Sequence, residues 1–241
     1  MKILGIECTA SPVSCALSED GKLKAEYFLN LKTTHSQTLL PMVESMLELS
    51  DVSIADIDVI AVTAGPGSFT GVRIGISAVK GLAFTHNTPI IPVSVLEAMA
   101  YNFSDKDCIV CSLMDARCSQ VYNALFEVKD GSVTRLCEDR ALMIDEVFAD
   151  LQKIKVETPE KTIVLVGDGA DLFYKTVGDR VVQLHLASDS LKWQRAFGVC
   201  AAALIRANNN ETVSSSELLP LYLRLPQAER ELRSKQQIER E

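Results

Sequence analysis

Residues Lys2–Leu29 read KILGIECTASPVSCALSEDGKLKAEYFL. Three apolar runs lie in this stretch, Lys2–Glu7, Val13–Leu17 and Lys24–Leu29, and the break before the last is Glu19-Asp20-Gly21. An Asp-Gly pair between two apolar runs predicts a hairpin, because Gly takes the positive φ that a tight turn requires. A helix follows, with Ser36 as N-cap and Leu39, Leu40, Val43 and Leu47 along one stripe. Ile57–Thr63 then predicts a short strand that runs into Gly65-Pro66-Gly67, and a second helix begins near Thr70.

The same succession returns in the second half. Cys108–Leu113 and Gln120–Val128 are apolar runs, Asp130-Gly131 is the turn, and Val133–Leu136 is the third strand. Leu142–Ile154 predicts a helix, Thr162–Val166 a strand, and Gly167-Asp168-Gly169 its terminal loop. The repeated order, with an Asp-Gly turn at the same place, predicts a duplicated α/β unit. It divides the chain into residues 1–104 and 105–225, joined near Asn102–Asp107, with a charged tail at 226–241 to which no function is assigned. Between the halves, Ile90–Val93 is a short strand and Ser94-Val95-Leu96-Glu97 a capping box. Trp193–Asn208 predicts a long helix, and Pro220–Arg224 an extended segment.

Composition bounds the function. Of 241 residues, 47% are hydrophobic and 23% charged, which suits a folded globular chain and excludes wholesale disorder. The net charge is −8, from 24 Lys and Arg against 32 Asp and Glu, and this balance argues against autonomous binding to a nucleic-acid backbone. The longest apolar run, Ala196–Ile205, has ten residues, about half of what a bilayer span needs. No signal-peptide pattern follows Met1 and Lys2, so the expected setting is the cytoplasm, away from membranes. The seven cysteines are an odd number and are expected as reduced core thiols. Cys108-Ile-Val-Cys111 has the spacing of half a zinc site, but residues three apart on a strand point to opposite faces.

Gly65-Pro66-Gly67-Ser68-Phe69-Thr70-Gly71-Val72-Arg73-Ile74-Gly75 is the densest motif. It joins a strand to a helix, where free backbone N–H groups favour anions. It is not a Walker A loop, because Val72 follows Gly71 where Lys is required, and Thr70 breaks the dinucleotide pattern. Nor is Ser68 set in the G-x-S-x-G frame of a hydrolase nucleophile, so it reads as a loop cap. The helix carries Gly71, Gly75, Ser77, Ala78, Gly81 and Ala83. Glycine costs up to about 1 kcal/mol per interior helical position, so another backbone must come close. Two readings stand: tight packing on the chain's own sheet, or a helix-to-helix interface with another chain.

Ile3–Thr9, the Gly65–Gly75 run, Met114-Asp115-Ala116-Arg117 and Pro220–Arg224 together resemble the TsaB (YeaZ) family over nearly the whole chain. The resemblance implies the duplicated actin/hexokinase/Hsp70-like (ASKHA) fold, with two domains that each hold a mixed five-stranded sheet and flanking helices. It also implies work on N6-threonylcarbamoyladenosine beside the anticodon of tRNA, as the non-catalytic partner of a TsaD enzyme with the ATPase TsaE. TsaD-like chains carry a His-x-x-x-His metal pair; at those positions this sequence has Val95 and Met99, and its histidines at 35, 86 and 185 are scattered.

The implied partner face comprises Leu39 and Val43 on the first helix, with Gly71, Arg73, Ile74, Gly75 and Ala78 on the second. Without the partner these helices are expected to pair as a homodimer, and tRNA is expected to be reached only indirectly. Glu7, Ser68, Thr70, Asp115 and Arg117 are the candidate nucleotide-proximal residues. Glu7 and Asp115 follow the first strands of the two halves, where related kinases handle magnesium or activate a hydroxyl; Asp115 and Arg117 could equally form a structural pair. Arg73 could meet a partner carboxylate, a phosphate or a neighbouring acid. No catalytic residue, metal ligand or tightly bound cofactor is expected, with ATP or ADP only at the partner interface. The alternatives are an ATP-dependent small-molecule kinase using Asp115 as base, and, last, an M22 glycoprotease-like protein.

Overall fold

Both Asp-Gly turns form. The computed structural model describes residues 1–31, 33–177, 180 and 183–224. Asp20 and Gly21 have φ of 50° and 76°, and Asp130 and Gly131 have 50° and 78°. Such paired left-handed residues let a two-residue turn follow the twist of its strands.

The first turn joins β2 (Val13–Glu19) to β3 (Lys22–Leu29), and both follow β1 (Lys2–Glu7) in an antiparallel meander. After α1 (His35–Leu49), β4 (Val59–Gly65) enters parallel to β1; after α2 (Phe69–Phe84), β5 (Ile90–Ser94) enters parallel to β4. The sheet order is β3-β2-β1-β4-β5. Its central strands, β1 and β4, are buried almost throughout, as expected of strands covered on both faces.

A short α3 (Val95–Ala100) leads into β6 (Cys108–Asp115) and β7 (Gln120–Lys129), then β8 (Ser132–Arg135) and β9 (Arg140–Met143). α4 (Ile144–Glu157), β10 (Ile163–Val166), α5 (Ala170–Val177), β11 (Leu184–Leu186), α6 (Asp189–Lys192) and α7 (Ala196–Asn208) complete the series. The second sheet runs β11-β10-β6-β7-β8. In both sheets the spatial order is therefore third, second, first, fourth, fifth, the duplicated ASKHA topology.

Helices α1 and α2 cover the outer face of the first sheet, and α4 and α5 that of the second. Two helices fill the middle. α7 lies on the inner face of the first sheet through Ala196, Val199 and Ala203, against Ile3, Ala61 and Ile91. α3 lies on the inner face of the second through Val95, Leu96 and Met99, against Val110, Ala124 and Phe126. Each half thus contributes the helix that covers the other half's sheet. The two helices meet at Gly198, where an added Cβ would stand 2.2 Å from the Ala98 carbonyl oxygen.

Several elements depart from expectation. The second sheet has six strands, not five, because its third strand is interrupted: β8 pairs with Phe126–Lys129 and β9 with Gln120–Asn123 along the same edge of β7. Leu142 and Met143 are drawn into that pairing, so α4 starts at Ile144, where the Glu146 carboxylate accepts the Met143 N–H at 2.8 Å. α1 begins at His35, with Thr34 rather than Ser36 at the cap. α7 begins at Ala196, not Trp193, because its first amides are taken by side chains of the first sheet: Ala196 N–H by Ser14 Oγ at 3.2 Å and Phe197 N–H by Glu26 Oε1 at 3.0 Å. Of the Ser94 capping box only half forms. Ser94 Oγ accepts Glu97 N–H at 3.3 Å, while the Glu97 carboxylate turns to Arg135 and Arg206. Cys108 and Cys111 fall in cores on opposite faces of the second sheet. The tail at 226–241 lies outside the described residues.

Candidate functional site

The ends of β1 and β4 in one half face those of β6 and β10 in the other across a cleft of about 460 Å³. From the first half come Thr9, Ser11, Gly67 and Ser68; from the second come Asp115, Arg117, Tyr122 and Asp168. The two hairpins are built alike. Glu7 Oε1 accepts the Thr9 N–H at 2.6 Å, and Asp115 Oδ1 accepts the Arg117 N–H at 2.7 Å. Each acid thus caps the turn that follows its own strand. Asp115 meets Arg117 through the Arg117 backbone N–H, and among the described residues the two side chains form no ion pair.

The acids differ in depth. Glu7 is fully buried, and burial raises its pKa against the opposing hydrogen bonds from Thr9; its Oε2 has no partner. It lies beneath the cleft rather than in its wall. Asp168 is pushed up to about 6, chiefly by burial, although Gln194 Nε2 donates to its Oδ1 at 3.0 Å. Asp168 and Gln194 were not singled out in the sequence. The signal was the place of Gly167-Asp168-Gly169, which matches Gly65-Pro66-Gly67 in the first half.

Ser68 caps α2, its Oγ accepting the Gly71 N–H at 3.2 Å. Thr70 points elsewhere: it lines a groove between α1 and α2, about 580 Å³, with Leu40, Arg73, Ile74, Ser77 and Ala78. The residues expected on the partner face therefore separate. Arg73, Ile74 and Ala78 line the groove. Leu39 and Val43 are 1% and 2% exposed and belong to the core beneath it, with only an edge of Leu39 reaching the groove floor. Gly71 and Gly75 face inward: an added Cβ would stand 2.0 Å from Cys8 O at Gly71 and 2.7 Å from Cys8 Sγ at Gly75. At Gly71 the close neighbour is the chain's own backbone, and at Gly75 it is the Cys8 side chain. Gly81, on the outer face, has nothing within 4 Å.

Residues 219–224 cross between the halves over the cleft. Leu221 N–H donates to Ala64 O at 2.7 Å, and Arg224 Nη1 donates to Ala116 O at 2.6 Å. Tyr222 stacks on Phe69 with ring centroids 4.5 Å apart, and its hydroxyl accepts from Arg73 Nε at 3.0 Å. No sequence pattern links Tyr222 to Phe69, because the contact joins segments that are far apart in the chain.

Among the described residues, no three His, Cys, Asp or Glu side chains come together as a metal ion would need, and no helix is long and apolar enough to cross a membrane. Val95 and Met99 are both 0% exposed within α3.

Comparison with known proteins places these features in a family. The family model described as TsaD, tRNA N6-adenosine threonylcarbamoyltransferase, matches residues 28–232. The tRNA threonylcarbamoyladenosine biosynthesis protein TsaB of Bacillus subtilis is 30% identical over 95% of this chain and 96% of its own length. A tRNA N6-adenosine threonylcarbamoyltransferase of Persephonella marina is 36% identical, but over only 41% of this chain and 33% of that enzyme. The solved structure of YeaZ from Pseudomonas aeruginosa superposes with a TM-score of 0.76 at 27% identity, covering 92% of this chain and 99% of that one.

Proposed function

This chain belongs to the TsaB (YeaZ) family, and on that premise we propose that it serves the formation of N6-threonylcarbamoyladenosine in tRNA as the non-catalytic partner of a TsaD-type enzyme. The observation that carries this reading is the burial of Val95 and Met99, each 0% exposed at the positions where a TsaD-like chain bears its metal pair. Aliphatic and thioether groups are poor ligands for a hard cation, and α3 spends both on the core between the sheets. Asp115, the base that a kinase reading requires, holds the Arg117 N–H instead.

The docking surface in this proposal is the groove between α1 and α2. Leu40, at 47% exposure, Ile74 and Ala78 give it an apolar lane, and Arg73 a charged end. In isolation two copies would meet through the same face as a homodimer. A TsaE-like ATPase joins the complex, ATP or ADP sits only at the partner interface, and tRNA is brought by the partner, as suits a cytoplasmic chain with a net charge of −8.

Mixing with a TsaD-type subunit is expected to give a heterodimer by light scattering after gel filtration. Ala78→Arg, which places a charge at this half-buried position in the lane, is expected to abolish it while the variant stays folded by circular dichroism. A heterodimer that forms normally with Ala78→Arg overturns the docking surface. Threonylcarbamoyl transfer by this chain alone, or micromolar Mg-ATP binding and kinase turnover, overturns the non-catalytic role.

A further inference from the structure

Phe69 belongs to both cavities described above: it lines the α1–α2 groove on one side and the cleft on the other. Its ring packs against two groups, Tyr222 stacked at 4.5 Å and the Arg73 guanidinium at 3.9 Å from its centroid. Arg73, itself a wall of the groove, closes the triangle through its bond to the Tyr222 hydroxyl. The segment that Tyr222 anchors is seated closely, since a Cβ on Gly65 would stand 2.3 Å from Leu221 O. Yet it is wet, with Leu219 71%, Leu221 43% and Tyr222 37% exposed. A second hollow, about 620 Å³, lies beyond it, bounded by Val93, Arg135 and Arg206 and sharing Leu221 and Leu223 with the cleft. Residues 219–224 therefore partition one trench between the halves. They hold the first half at Ala64 and the second at Ala116.

We propose that the Phe69–Tyr222–Arg73 triangle is a latch that couples the docking groove to the cleft: a protein partner that engages Arg73 or displaces Phe69 releases residues 219–224 and opens the trench. The partner's occupancy of the groove rests on the function proposed above; the latch itself does not. A partner that needs the released state binds with an affinity reduced by the fraction of chains already unlatched, so weakening the latch strengthens docking.

The coupling is read first in the free chain, by hydrogen–deuterium exchange on Arg73→Ala and Tyr222→Phe. Arg73 is expected to act at a distance: amides in the Asp115–Gln120 hairpin, held through Arg224, should exchange about tenfold faster, the loss of one hydrogen bond and one cation–π contact. Tyr222→Phe keeps the ring and loses only the hydroxyl, and should give a smaller rise at the same amides. Amides of β1 and β4 should stay unchanged, which separates unlatching from general destabilisation. Unchanged exchange in the Asp115–Gln120 hairpin with both variants overturns the latch, whatever the partner does. With a TsaD-type subunit, Tyr222→Phe should bind severalfold more tightly; equal or weaker binding overturns the coupling, while Ala78→Arg separately tests the docking surface. If Ala78→Arg binds normally but the hairpin exchange rises as expected, the latch stands and the groove assignment falls.

Discussion

Replacing Gly198 with Ala tests how closely α3 and α7 are pressed together. Alanine is the better helix former by about 1 kcal/mol, so on propensity alone the variant should be more stable. Its Cβ, however, would stand 2.2 Å from Ala98 O and 3.0 Å from Ala98 C, where ordinary contact begins at 3.4 Å. The helices must therefore separate by roughly 1 Å, and neither can move alone, because each is packed on a sheet. Overpacking of this kind costs about 1–3 kcal/mol, and backbone against backbone belongs at the upper end. The net loss is about 2 kcal/mol, which lowers the melting temperature by roughly 4–8 °C for a chain of this size. Gly81→Ala on α2 is the matched control. Nothing lies within 4 Å of that position, so the same substitution should raise the melting temperature by about 2–4 °C. Thermal unfolding followed by circular dichroism decides. If Gly198→Ala melts at or above the parent, or if both variants lose equally, the close helix contact is not what glycine is there to permit.

Two further expectations follow from the thiols and the buried acid. Of the seven cysteines only Cys118 is exposed; Cys137 is half-buried, and burial pushes the Cys15 and Cys200 thiols up to about 12. Ellman's reagent should therefore find one fast thiol in the folded chain and seven after denaturation, with Cys118→Ser removing the fast one; a second fast thiol would contradict the described burial. Asp168 titrates near 6 when folded against 3.8 as its ordinary value, so between these values the folded state binds the extra proton and stability falls as pH rises. Asp168→Asn should flatten that part of the pH dependence and stabilise the chain at pH 7, by up to about 3 kcal/mol. A variant less stable than the parent at pH 7 but equal at pH 4 would reverse the sign.

Much of the architecture was legible because it is written in local chemistry. Asp20-Gly21 and Asp130-Gly131 state their turns without help from elsewhere, and the apolar runs between them can pair in few ways. What was not legible is set by partners remote in the chain. Leu142 and Met143 look helical beside Ile144, but β7 offers an unpaired edge at Gln120–Asn123 and takes them as strand. Arg195 ends an extended stretch because Ser14 and Glu26 wait for the first amides of α7. In the candidate site, small residues announce a close approach without saying to what. Gly71 and Gly75 meet Cys8 of the same chain, whereas the outer residues Arg73, Ile74 and Ala78 form the groove. Asp168 hid in an unremarkable loop because its environment is made by burial and by Gln194.

The exchange of α3 and α7 between the sheets has a consequence for biosynthesis. When β1 to β5 have left the ribosome, the surface formed by Ile3, Ala61 and Ile91 has no cover, and Val199 and Ala203 are still about a hundred codons away. The nascent first half must wait with an oily flank exposed to the cell's holding chaperones, and neither half, cut free as a fragment, should stay in solution without its counterpart.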